Sequence, residues 1–501
     1  MKRQALRPRP GVARVTTFDA ASERGRGGAP AASCRPRNDA RGRAEAALRW
    51  ALCLVGAVAC GESESVKPVP LGGPAAPPPG GEVASLTFWQ DVAPVYYKRC
   101  VGCHREGGIG PFRLDDYASA KRWAAASKEA VVGRRMPPFL ATADGSCNPV
   151  RDAAWLDEGE IAAIASWADS AMAEGAARAD LRPVEPATMT GDYEEFRSPD
   201  FEPRVEGGAD HAHDEYRCFL LDPQLAADRF VTGYEVAPGN DAIVHHVAVL
   251  SVDPDAPGYF DDGRTNRELM RALDDESPDR AGWPCYSAAG DGVSIAGNPV
   301  TWAPGQGAVT YPDGLGLRVA AGQQLVMQVH YNLADHDLVG QRAQTSVKLR
   351  LSERVEREAI FENVDLFLST IFGDAPASLP PGQASAPFEW ELDVGEALAA
   401  TGAPYLDLYG VFPHMHERGL SLETSVERAD GADVCALDVP RWDFHWQLMY
   451  FYDEPLRLGP GDRLRTRCTY DTRGLDAPLT PGWGTENEMC LSGLLLALPR
   501  P

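Results

Sequence analysis

The sequence predicts a multidomain chain in which a small all-α domain precedes two all-β domains of the jelly-roll-like antiparallel sandwich type. Three observations predict it. A basic head and a Pro/Gly-rich stretch set residues 1–83 apart from the rest. Apolar residues recur at helical spacing between about 84 and 180. From 185 onward, short alternating apolar runs are separated by Gly, Pro, Asp and Asn over a length that suits two sandwiches.

Composition narrows the function classes. Of 501 residues, 44% are hydrophobic and 24% charged, and no run of 18 apolar residues occurs, which excludes a polytopic membrane protein. Lys and Arg number 48 against 72 Asp and Glu, a net charge of −24 that repels a phosphate backbone, so nucleic acid is not expected as a partner. Gly at 49 and Pro at 41 suit short strands joined by many turns.

Residues 1–59 carry 12 Lys or Arg and 4 acidic residues and read as an export segment. Arg41, Arg43 and Arg49 flank the apolar run Trp50 to Ala59, and Cys60 follows. Ala57 and Ala59 before that cysteine resemble a bacterial lipoprotein cleavage box, although Ala57 stands where Leu is usual. Lipid would be carried by Cys60, the only membrane attachment expected, at the periplasmic or cell-surface side; plain secretion is the alternative. Residues 60–83 form a Pro/Gly linker.

The α domain, expected over 84–180, contains Cys100-Val-Gly-Cys103-His104. This is the haem c attachment pattern, in which two thiols add to the vinyl groups and the adjacent imidazole ligates the iron. A zinc half-site or a redox CxxC is the competing reading. Phe88, Val92, Val95 and Tyr96 lead into the motif at helical spacing. Tyr117 to Gly133 reads as a helix, and Asp157 with Glu160 caps a last helix whose Ile161, Ile164, Trp167 and Ala171 line one face. Met136, between Arg135 and Pro137-Pro138, is the candidate second axial ligand, with a buried structural Met as the alternative. Together with Gly107, Gly108, Gly110, Pro111 and Phe112, this part resembles bacterial cytochrome c domains fused to secreted oxidoreductases.

Expected strands include Phe230 to Val236, Ala242 to Val252, Gln324 to Tyr331, Ser346 to Leu351 and Tyr405 to Pro413. Histidines inside them carry the chemistry. His245 and His246 lie in IVHHVAVL, where burying two imidazoles costs several kcal/mol unless both are paired or metal-bound. Adjacent strand residues face opposite ways, so both reach one ion only at a bulge or strand end. His414 and His416, two residues apart, project on one side of a strand.

These motifs resemble the copper type II, ascorbate-dependent monooxygenases. Val244-His245-His246-Val247 looks like the family's paired histidines, Gln328-Val329-His330-Tyr331 like its third ligand, His414-Met415-His416 like its His-x-His, and Glu488-Met489-Cys490 like its Glu-Met-Cys. The resemblance covers roughly 188 to 498. It implies a sandwich over 185–352 that holds one copper by His245, His246 and His330. A second sandwich, over 353–501, would hold another copper by His414, His416 and Met489, the catalytic set. Imidazoles alone suit both copper oxidation states, whereas a thioether biases toward Cu(I); zinc is the rival metal, with little use for Met489. For Met489 alone, core packing is the plain alternative.

The resemblance also implies disulfides Cys218 to Cys285 and Cys468 to Cys490, leaving Cys147 and Cys435, which could pair with each other, unassigned. In peptide-hydroxylating members the substrate carboxylate is anchored at positions that correspond here to Phe412, Leu491 and Gly493, so a neutral or cationic small molecule is expected instead. His211 and His213 read as solvated, His336 and His445 as loop and packing residues.

The implied activity is hydroxylation of a C–H bond with O2. Two well-separated mononuclear coppers would each store one electron, passed from the three-His set to the His-His-Met set. Ascorbate-like reductant or another redox protein would supply the electrons, here through the tethered haem c. A haem/copper electron carrier, or a copper-binding protein without oxygenase activity, is the alternative.

Overall fold

The computed structural model describes residues 86–106, 110–142, 144–184, 187–205, 213–259, 263–286, 288–304, 306–312, 314–333, 338–369, 377–484 and 486–500. The export segment, the linker, Cys60, Gly107, Gly108, His211 and His336 lie outside them. No helix among the described residues is long and apolar enough to cross a membrane.

The helical part starts with a π-turn, Phe88–Val92, that runs into the helix Ala93–Arg99. Phe88, Val92, Val95 and Tyr96 are all buried, as their spacing predicts. The helix Tyr117–Val132 is capped by Asp116, whose carboxylate accepts from Ser119 N. The helix Glu158–Ala168 opens on the expected Asp157/Glu160 capping box, which satisfies two otherwise orphaned backbone donors. Its face differs from expectation at one point. The helix stops at Ala168, Ser170 Oγ donates back to the Trp167 carbonyl, and Met172 takes a positive φ, so Ala171 is exposed beyond the helix end.

The chain between these last two helices leaves that core. Phe139, Leu140 and Ala141 belong to the apolar core of the C-terminal β-sheets, and Val150 to Trp155 contribute side chains to it. Leu140 N donates to Tyr450 Oη at 3.1 Å, Thr142 N to the Asp438 carbonyl at 2.8 Å and Asn148 N to the Cys435 carbonyl at 3.0 Å. A disulfide, Cys147–Cys435, closes this clasp across 288 residues of sequence. Replacing both cysteines by Ser is expected to cost about 2–5 kcal/mol in denaturant-induced unfolding, the usual loss for a native disulfide. An unchanged unfolding midpoint would contradict that.

The β-rich part is built on one nine-stranded sheet that runs through both halves. Its order is Glu194–Arg197, Ser346–Ser352, Arg229–Ala237, Leu315–Val319, Arg357–Val364, Leu491–Ala497, Leu406–His414 and Tyr450–Leu458, with Val309–Thr310 beside Arg229–Ala237. The halves join where Leu315–Val319 pairs in parallel with Arg357–Val364. Against the first half lies a five-stranded sheet, ordered Trp283–Pro284, Asp214–Leu221, Gln324–Asn332, Val244–Val252 and Gly297–Trp302. Against the second lies a four-stranded sheet, ordered Ala386–Asp393, Arg463–Tyr470, Gly419–Glu427 and Asp433–Val439.

Leu491–Ala497 shows why the two sandwiches cannot be parted cleanly. Leu495 and Ala497 enter the first core and Leu494 and Leu496 the second, so the strand is buried on both faces and reads as a continuous apolar run. The described part thus follows the expected β architecture, with a shared sheet that no local pattern announced.

Candidate metal centre

His245 is an extra residue in its strand. Val244 pairs with Tyr331 and His246 with His330, which leaves His245 as a bulge. The bulge resolves the problem of adjacent residues facing opposite ways. Ligand atoms of His245, His246 and His330 lie within 4.8 Å of one another.

The protonation pattern suits a cation. His330 Nε2–H donates to Asp214 Oδ1 at 2.9 Å, leaving Nδ1 toward His246 Nδ1 at 3.5 Å. Both Asp214 and His330 are buried, and Asn332 Nδ2 also donates to that carboxylate oxygen. Such a carboxylate–histidine pair orients a metal ligand and raises its basicity. Both ring nitrogens of His245, and Nε2 of His246, are buried without a hydrogen-bond partner. Burial first, then the neighbouring imidazoles, pushes the pKa of both rings well below the ordinary value, so they are neutral. Two neutral imidazoles with orphaned nitrogens, beside the His330 ring held by Asp214, fit a copper or zinc ion.

His414 ends its strand and His416 lies two residues beyond, the ring centroids 5.1 Å apart. His414 Nδ1–H donates to Gln447 Oε1, and His416 Nδ1–H to the Asn487 carbonyl at 3.1 Å, so each ring keeps Nε2 free to ligate. Burial holds both rings neutral, lowering His414 to about 4 and His416 to about 3. Met489, 4% exposed, lines the same cavity of about 360 Å³ as these two rings. Two imidazoles and a thioether make a set that favours Cu(I).

Glu488 ties these segments together. Fully buried, its carboxyl accepts from the backbone N–H of His416 at 2.8 Å, Arg418 at 2.7 Å and Met489 at 3.2 Å. Tyr470 Oη donates to the Met489 carbonyl at 2.8 Å, and Cys468–Cys490 anchors the next residue. Cys218–Cys285 joins the strand beside His330 to the edge strand.

The two histidine sets are not far apart, contrary to the expectation from sequence. The ring centroids of His246 and His414 are 5.7 Å apart. The halves share one sheet, and Phe444, on a loop of the second half, packs on His245 at 4.4 Å and near both His246 and His416 at 6.3 Å. His445, expected to be a packing residue, is exposed with its ring 6.0 Å from that of His245.

Sequence reasoning missed Asp214, Gln447 and Phe444. A lone Asp, Gln or Phe carries no motif; only strand register, Asp214 opposite Asn332, could have hinted at the first. The cavity is lined by Tyr216, Tyr286, Trp302, Phe412, Trp483 and Leu491 among others; Asp365 is its one carboxylate among the described residues, and no Lys or Arg lines it. Gly493 pairs with Phe412, and a Cβ there would meet Phe361 at 2.7 Å, so that position has no room for an anchoring side chain.

In the helical part, Cys100 and Cys103 are free thiols, the three other pairs of described cysteines being disulfides. His104, 8% exposed, has Nδ1 3.0 Å from the Phe112 carbonyl, so Nε2 is the nitrogen that could ligate. Gly110 lies so close that a Cβ would meet the His104 ring at 2.7 Å. Two unpaired thiols beside an oriented imidazole fit a c-type haem. Met136 is half-buried in the loop after Tyr117–Val132, its N–H directed at the Ala130 carbonyl.

Residues 371–495 match the family model for the C-terminal domain of copper type II ascorbate-dependent monooxygenase. Tyramine beta-hydroxylase of Caenorhabditis briggsae is 25% identical over 293 residues, 56% of this chain and 43% of that protein. DBH-like monooxygenase protein 1 of Gallus gallus is 30% identical over 203 residues, 39% and 32% of the two chains. Dopamine beta-hydroxylase of Homo sapiens is 24% identical over 288 residues, 55% and 42%. The chain spans less than half the length of these relatives. The matches support the copper type II, ascorbate-dependent monooxygenase family, through the family model over residues 371–495 and partial likeness to these relatives.

Proposed function

We propose that the chain is an exported copper monooxygenase that hydroxylates a C–H bond of a neutral or cationic small molecule. The observation that carries this reading is the cavity lined by His246, His414, His416 and Met489, in which His246 also belongs, with His245 and His330, to a group whose ligand atoms lie within 4.8 Å of one another. Copper, when bound, supplies one electron at each set and the reduction of O2 at the set that includes Met489.

The protein's own residues do the rest. Asp214, Gln447 and the Asn487 carbonyl fix the tautomers of His330, His414 and His416, so their ligating nitrogens are presented without rearrangement. The aromatic walls take an apolar substrate body, while Asp365 and, among the described residues, the absence of Lys and Arg from the lining favour a neutral or cationic head over an anion. Tyramine and dopamine, named by two relatives, are amines of that kind.

The remaining parts of the reading concern supply and location. Residues 84–180 would hold haem c on Cys100, Cys103 and His104, with Met136 as second axial ligand, and haem would relay electrons from an ascorbate-like donor or another redox protein. Residues 185–352 and 353–501 would be the two copper-binding sandwiches. Three disulfides are what a chain folded in an oxidising compartment carries. Attachment would be through lipid on Cys60.

An O2-uptake screen of reduced, copper-loaded protein against amines, neutral aromatics and glycine-extended peptides tests the substrate class. Amines or neutral aromatics are expected to trigger uptake. A preference for glycine-extended peptides would contradict the reading. His104→Ala is expected to slow copper reduction by a protein donor; an unchanged rate would remove haem from the electron route.

A further inference from the structure

We infer that the segment from Arg441 to Tyr450 is the electron route between the helical part and the candidate copper ligands, with Arg441 and Tyr450 as its contacts with the loop that bears Met136. The inference rests on the reading of a haem at Cys100, Cys103 and His104 and of copper at the histidine sets, and adds the path between them.

The argument starts at the loop after the helix Tyr117–Val132. Met136 lies in it, two residues beyond Arg134 and three before Phe139. On both sides of Met136 this loop meets one stretch of the second half. Arg441 Nη2–H donates to the Arg134 carbonyl at 2.7 Å. Leu140 N–H donates to Tyr450 Oη at 3.1 Å, and the Phe139 ring stands edge-on to that of Tyr450 with centroids 5.1 Å apart. The hydrogen-bonded pairs are 307 and 310 residues apart in sequence, so it is the fold that brings the Met136 loop to this stretch.

Between those two ends the same stretch touches the histidines. Trp442 Nε1–H donates to the His416 carbonyl at 3.0 Å, and Gln447 Oε1 accepts from His414 Nδ1–H. The Phe444 ring packs on that of His245 at 4.4 Å. Gln447 Nε2–H donates back to the Phe444 carbonyl at 2.8 Å and braces the turn between them. A loop that only joins two strands runs over the surface. Here Trp442, Phe444, Gln447 and Tyr450 are buried, and three of these four side chains meet candidate ligands from both sets.

An electron crosses protein faster where covalent and hydrogen bonds replace gaps. From Arg134 to His416 the path is two hydrogen bonds joined by the covalent link Arg441–Trp442. From Leu140 to His414 it runs through Tyr450 and Gln447. Phe444 extends the contact to the three-His set. The balance is one electron: Fe(II) becomes Fe(III), one Cu(II) becomes Cu(I), no bond forms or breaks and no proton moves. A one-electron reductant of the ascorbate class, or a redox protein, returns the haem to Fe(II).

The test uses the full chain carrying haem and Cu(II), without O2. A light-driven reductant reduces the haem, and its reoxidation is followed by absorbance while the Cu(II) paramagnetic signal is followed in frozen samples. In the parent the haem is expected to reoxidise at a rate independent of protein concentration. Arg441→Ala, Tyr450→Phe and the double variant are expected to slow this several-fold, most in the double variant, with copper content and haem spectrum unchanged. Arg441→Lys, which keeps a donor, is expected to recover part of the rate. In a haem-free background, Cys100→Ser with Cys103→Ser, the same substitutions are expected to leave copper reduction by dithionite unchanged. A double variant as fast as the parent would overturn the route and leave the haem-donor reading standing. Slowing that comes with loss of copper, or with equally slowed reduction by dithionite, would overturn it too, because the residues would then only hold the ligands in place. A parent that carries haem and copper yet passes no electron between them would overturn the haem-donor reading beneath it.

Discussion

Replacing Met489 by Ile is expected to abolish substrate-dependent O2 consumption while the metal at His245, His246 and His330 stays in place. The thioether is buried, and its main chain is fixed on both sides, by Glu488 and by Tyr470. Ile fills similar apolar volume, so the fold should tolerate it. The variant lacks only the soft donor that favours Cu(I). Loss of an outer-shell partner of a metal ligand commonly costs 10–100-fold in affinity or activity, and loss of the ligand itself should exceed about 100-fold. Oxygen-electrode rates together with copper content after Cu(I) loading check this. Retention of a tenth of the parent rate would mean that Met489 is a packing residue.

Glu488 offers the second large effect, and a pH dependence that identifies its cause. Glu488→Ala would leave the buried backbone N–H groups of His416, Arg418 and Met489 without their acceptor, at about 1–3 kcal/mol each, and should release the second-site metal. Burial raises the Glu488 carboxyl to about 8, against the pull of those three donors. Its folded-state pKa is therefore above the unfolded value, and the folded protein keeps a proton that the unfolded chain has lost between about 4.5 and 8. Stability of copper-free protein should fall as pH rises through that window, by up to about 1.4 kcal/mol per pH unit. Glu488→Gln, neutral and able to accept, should fold at pH 7 and lose this slope. On the acid side the sign reverses: His414 and His416 have depressed folded pKa values, so stability should fall as pH drops from about 6.5 toward 4 and 3. Denaturation midpoints of copper-free parent and Glu488→Gln from pH 4 to 9 separate the contributions. Identical slopes on the alkaline side would show that the carboxyl is ionised throughout.

The candidate ligands could be singled out because they form short-range patterns. Adjacent histidines in an apolar run, a His-x-His and a Met beside Cys490 announce themselves in sequence, and the capping box at Asp157 did the same for a helix. What was not legible depends on long-range pairing. Asp214 meets His330 only because their strands are neighbours in register. Gln447 and Phe444 reach the histidines from the loop between Asp433–Val439 and Tyr450–Leu458, far from them in sequence. The spacing between the two sets was misjudged for the same reason: nothing local encodes the angle between two halves that share Leu491–Ala497. Ala171 failed on a smaller scale, since helical periodicity does not foresee the turn that begins at Ser170.

The most direct measurement is oxygen-isotope incorporation under 18O2 by reduced protein carrying two coppers, with an arylalkylamine as substrate. The account predicts one 18O atom in the hydroxylated product and the other in water, with O2 uptake matched to product, and none of this in Met489→Ile. Oxygen consumed without labelled product, or electron transfer from haem to copper with no substrate-dependent uptake across amines and neutral aromatics, would contradict it and leave an electron carrier in its place.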